Sequence, residues 1–108
     1  MITRAQILVF LKSAETLYDL KDYTSATILY FKTWFAVQDF ILLEKVGRSP
    51  KDHNERFLLL KKEFLESYME IDKEFSTYRD TYSKIIDKQT CDRIRKIVTN
   101  EISKYKIN

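Results

Sequence analysis

The stretch Gly47-Arg48-Ser49-Pro50-Lys51-Asp52-His53 decides the fold class, because it holds the only glycine, the only proline and the only histidine of a 108-residue chain. Average usage is roughly 7% Gly and 5% Pro. A β-sandwich or barrel needs turns about every 8–12 residues, many built on Gly or Pro, and outside this stretch the chain has neither residue to build them. Collagen-like, Gly/Ser-linker and disulfide-scaffold classes fall with it. With 44% hydrophobic and 14% aromatic residues the chain can fill a core, which argues against disorder. One all-α domain spanning residues 1–108 is the expectation, burying roughly 60–70% of its unfolded surface.

Working outward, Gly47 suits the left-handed position after a helix and Pro50 blocks its continuation. Asp52 and Glu55 have capping-box spacing, so the next helix starts near His53. Upstream, residues 24–46 read as a helix that is apolar almost all round, with Lys32 and Asp39, seven apart and on one side, as its only charges before the last turn. Such a helix is central, or it faces a second subunit on one flank. An earlier helix is predicted from the Thr3 N-cap to about Leu20, with Ile7, Leu11, Ala14 and Tyr18 inward and Lys12, Glu15 and Asp19 wet. Downstream, Leu60, Phe64, Tyr68, Ile71, Phe75, Tyr78, Tyr82 and Ile85 keep helical spacing to Ile86, with a break expected between Leu65 and Asp72. A last helix is expected from Gln89-Thr90, capped by Thr90, with Ile94, Ile97, Val98, Ile102 and Tyr105 inward. The sum is a four- to five-helix up-and-down bundle.

Chemistry-bearing groups are few. One Cys and one His leave no thiolate cage, and neither metal nor cofactor is expected. Cys91 has no base in evidence and reads as an inert thiol. Glu63, Glu66, Asp72 and Glu74 sit among lysines and read as a solvated face. Residues 88–108 carry a net +4 against −1 for the rest, an ordinary basic helix. No secretory pattern or run of roughly 18 uncharged residues appears, and the expected setting is cytoplasmic. Arg48 and His53 form the one suggestive pair: an imidazole can take a proton from a 2′-OH while a guanidinium steadies phosphate charge. The same two residues also read as a solvated loop arginine and a first-turn histidine. The aromatics of the second helix exceed what a small bundle needs, which argues for a dimer.

Several stretches resemble the HEPN domain family: Leu11-Lys12-Ser13-Ala14-Glu15, Tyr23-Thr24-Ser25-Ala26, the helix ending Leu42-Leu43-Glu44-Lys45, the Gly47–His53 loop, and Tyr78-Arg79-Asp80-Thr81-Tyr82. That resemblance implies a five-helix bundle, a homodimer, a minimal nucleotidyltransferase as partner in a toxin–antitoxin-like pair, and, in active members, a metal-independent RNase with Arg, four to six residues, then His. Carried onto this chain the signature opens at Arg79-Asp80, but Lys84, Ile85 and Ile86 stand where the histidine would fall. The expectation is therefore a non-catalytic nucleotide- or RNA-binding or partner subunit, with Arg79, Tyr82, Arg48, Lys51 and His53 around its ligand. Two alternatives stand beside it. One is a divergent RNase using His53 with Arg48 or Arg79. The other is a protein-interaction bundle, since Ala14, Leu17, Tyr18, Asp22, Tyr23 and Ala26 resemble a single tetratricopeptide repeat.

Overall fold

A computed structural model describes residues 1–108. Five helices follow one another: α1 (Arg4–Asp19), α2 (Tyr23–Val46), α3 (His53–Glu63), α4 (Leu65–Asp80) and α5 (Lys88–Lys104). The all-α bundle is as the sequence predicts, and α2 is its centre, packed against α1, α3 and α5. Tyr30, Phe31, Trp34, Phe35 and Phe40 are all buried within the single chain. The surplus of aromatics is thus absorbed by neighbouring helices, and α2 alone no longer argues for a second subunit. By length and composition α2 could also cross a membrane, yet 72% of its most apolar window is buried in the bundle.

Local chemistry explains most boundaries. Thr3 accepts from the Gln6 N–H while the Gln6 side chain accepts from Thr3, a reciprocal cap for α1. At the other end of α1 the Asp22 N–H reaches Leu17 and the Lys21 N–H reaches Tyr18, a Schellman turn with Lys21 at φ 63°. The end of α5 repeats this turn, with Lys106 at φ 54°. Lysines therefore take left-handed positions where glycine is usual, at a cost of about 1–2 kcal/mol each. This is how a chain with one glycine closes its helices. Gly47 keeps the third such position, at φ 87°.

Three boundaries differ from expectation. The break after α3 falls at Phe64 (φ −141°, ψ 68°), just before the expected window and with no breaker residue, at the point where the Phe64 ring packs edge-on against Tyr105, just past α5. Helix α4 stops at Asp80 instead of Ile86. There Thr81 donates its hydroxyl to the Tyr78 carbonyl, and the Ile86 N–H is drawn to Thr24 Oγ1 at 2.9 Å, turning the chain toward α2. Asp87 rather than Thr90 caps α5, accepting from the Thr90 N–H at 2.8 Å. Two acidic residues expected in water are instead paired. Glu74 is buried in a two-pronged pair with Arg93, and Glu15 is held by Arg95, which lies over Tyr18. Lys88 and Lys104 are likewise paired, with Asp92 and Glu66. Much of the positive charge of α5 is thus spent on tying the bundle together.

A candidate binding cavity at the seam of α2, α3 and α4

Helix α2 presents Ile28, Lys32, Phe35 and Asp39 at successive steps of four, three and four, one stripe along the side that faces α3 and α4. The Asp52 cap starts α3 so that His53 lies in its first turn, and Arg56, three residues on, lies on the same face. The last turn of α4 and the turn after it bring Tyr78, Thr81 and Tyr82 across from them. Between these elements lies a cavity of about 240 Å³ lined by Ile28, Lys32, Phe35, His53, Arg56, Tyr78, Thr81 and Tyr82.

Arg56 organises one wall. Its Nε donates to Asp39 Oδ1 at 2.7 Å and its Nη2 to Asp39 Oδ2 at 3.0 Å, while its guanidinium lies 5.1 Å from the Phe35 ring centre. The remaining terminal nitrogen, Nη1, donates to His53 Nδ1. Four rings stand beside His53, which is nonetheless an exposed residue: Phe35 at 4.8 Å, Tyr78 at 5.8 Å, Phe75 at 6.1 Å and Phe57 at 6.3 Å from the imidazole. Burial, and then the Arg56 charge, hold the His53 pKa below its usual value, against a smaller opposing pull from Asp39 and Asp52. Tyr78 and Tyr82 share a hydroxyl–hydroxyl hydrogen bond of 2.7 Å. Burial and that bond push the Tyr78 phenol up to about 12, so it stays protonated in any ordinary buffer. Lys32 has its ammonium 4.9 Å from the Phe10 ring centre and no carboxylate partner.

Of the five residues expected around a ligand, His53 and Tyr82 line the cavity and Arg48, Lys51 and Arg79 do not. Arg48 is turned away, bonded through Nη1 to Glu55, which also accepts from the Lys51 N–H. Those bonds pull the Glu55 carboxylate away from the reciprocal cap its spacing suggested, leaving Asp52 to cap the Glu55 N–H alone. Arg79 lies over the Phe75 ring at 5.5 Å. The pair Arg48 and His53, apt in spacing, is therefore split between two surroundings. Sequence reasoning missed Arg56, Phe35 and Tyr78 as cavity residues and Asp39 as the anchor of Arg56. The signal for two of them was present: Asp39 is one of two charges on an otherwise apolar stretch, and Arg56 is one turn past the only histidine. Cys91 is buried, and burial pushes its thiol up, which fits an inert packing residue. No group of acidic, His and Cys side chains here is arranged to hold a metal. Against models of known protein families, curated proteins and solved structures, the chain finds no match.

Proposed function

We propose that this chain is a HEPN-like, non-catalytic binding subunit whose α2–α3–α4 cavity takes a nucleotide, either free or as part of an RNA. The observation that carries the reading is the combination of ring-lined walls with an unpaired lysine at Lys32. Tyr78, Tyr82 and Phe35 offer faces and edges to a base, and stacking of this kind contributes about 1–3 kcal/mol per base. An ammonium with no carboxylate partner supplies the charge for a phosphate. Cationic ligands are disfavoured, since Lys32 and Arg56 both line the space. Neither Arg48, bonded to Glu55, nor Arg79, over the Phe75 ring, lines the cavity with His53, which supports the non-catalytic form over an RNase built on His53 with either of them. From the resemblance come two further parts of the proposal, a homodimer and a minimal nucleotidyltransferase as partner.

Calorimetric titration with AMP and with a short single-stranded RNA at low salt tests it. Binding is expected, weakened about tenfold in Lys32→Ala, the loss of roughly 1.4 kcal/mol for one charge-assisted contact. RNA incubated with the protein in EDTA is expected to remain intact. Cleavage that leaves 2′,3′-cyclic phosphate ends and vanishes in His53→Ala would overturn the non-catalytic reading in favour of the RNase. Failure to bind either ligand would instead favour the protein-interaction bundle.

A further inference from the structure

We infer that Asp39 and Arg56 form a clamp that fixes His53 as an Nε2–H hydrogen-bond donor, so that the cavity selects ligands presenting an acceptor to it. A guanidinium has only donors and keeps its proton in proteins. The Arg56 Nη1 to His53 Nδ1 contact therefore uses the Nδ1 lone pair, and the single proton of the neutral ring must sit on Nε2. Rotating the ring by half a turn would set a carbon-bound hydrogen against the guanidinium, so the contact selects the ring orientation as well as the tautomer. Arg56 is itself immobilised: both Asp39 oxygens hold it, its side chain is 10% exposed, and Asp39 comes from the central helix. His53 lines the cavity and makes no other hydrogen bond.

The consequence is chemical. A general base needs a free lone pair, and the neutral ring has one, already occupied. His53 can donate to a phosphate or carbonyl oxygen, but it cannot take the proton of a 2′-OH while the clamp holds. Asp39 and Arg56 are thus positioning residues that act through the imidazole. The choice of ligand rests on the binding role proposed above, whereas the tautomer stands independently of it.

The chain's single histidine makes the test specific to one residue. Two-bond proton–nitrogen correlation spectra of the ¹⁵N-labelled full-length protein near neutral pH are expected to give one pattern, with Nε2 protonated and Nδ1 accepting. In Arg56→Leu the two nitrogens should move toward the averaged positions of exchanging tautomers, and Arg56→Lys, which keeps a donor, should retain part of the bias. An averaged or Nδ1–H pattern in the wild-type protein would overturn the clamp whatever the variants do. Adding AMP separates the two claims. Absence of binding beside a locked Nε2–H pattern refutes the nucleotide reading and supports the clamp. Binding beside an averaged pattern does the reverse.

Discussion

The two sides of α2 are built differently. Toward α1 and α5 it buries Ala26, Tyr30 and Trp34 completely, and Ile7 and Ala14 of α1 and Ile94 and Val98 of α5 are also fully buried. Toward α3 and α4 it places Lys32 and Asp39 among the apolar residues, and the hairpin it meets contributes only Leu60 and Ile71 as fully buried apolar side chains. The first side gains from area removed from water, about 25 cal/mol per Å². The second depends on rings packed edge to face and on one buried ion pair, and it leaves a cavity. A rigid core with a softer flap against it is a common basis for binding, because the flap can adjust while the core holds register. The site lies on that seam and not inside either half.

Truncations on the two sides should separate them. Trp34→Ala removes a fully buried ring from the closed side and is expected to cost about 3–5 kcal/mol. Phe57→Ala removes a half-buried ring from the hairpin and should cost roughly 1–2 kcal/mol, since less area returns to water. Urea unfolding followed by circular dichroism measures both. Equal losses would mean that α3 and α4 belong to the same cooperative core as α1, α2 and α5.

The next test acts on the ion pair across the seam. Asp39→Asn leaves Arg56 nearly buried without its counter-charge, and removing one partner of a buried pair costs about 3–5 kcal/mol. Asp39 is 24% exposed, so water relieves part of that penalty and about 2 kcal/mol is expected. The double variant Asp39→Asn with Arg56→Leu should recover part of the loss, because no stranded charge remains. A double variant as unstable as the two single losses added together would mean that the pair is not coupled, and that only rings join the hairpin to α2.

The same contrast explains what could be read from the sequence. Signals that live in a few neighbouring residues were legible: the Thr3 cap, the end of α2 at a left-handed Gly47, the Asp52 start of α3. The apolar girth of α2 announced a central helix. Features set by contact between distant segments were not legible. The break at Phe64 comes where its ring meets Tyr105, and the chain after α4 turns toward α2 where Thr24 accepts from the Ile86 N–H, 62 residues away. The helical spacing ran on past Asp80 through Tyr82 and Ile85, but both are exposed, so there the spacing marks no packed face. The site follows the same division. His53 stood out as a residue type, but its partner was chosen by geometry: the arginine five positions earlier turned to Glu55, and the one three positions later, on the helix, reached the ring.

The smallest expected effect is a dependence of stability on pH. His53 is neutral-favouring in the fold, its pKa held below the usual 6.5 by burial and by Arg56, with Asp39 and Asp52 opposing. Above that value both folded and unfolded chains carry a neutral ring, and the contribution of the Arg56 contact is complete. As pH falls through 6.5 the unfolded chain takes up the proton first, so this contribution is lost progressively down to the folded pKa. Glu101 works in the other direction, since burial holds its carboxyl above the usual 4.5 and the folded chain binds that proton first on acidification. The bare pH profile therefore mixes two opposite slopes. Comparing wild type with His53→Gln at each pH cancels the Glu101 part, and the advantage of the wild type in urea midpoint should shrink between about pH 7 and about pH 5.5. A difference that stays flat across that range would mean that the imidazole titrates as it does in the unfolded chain. Neither burial nor the Arg56 charge would then be holding the ring neutral in the fold.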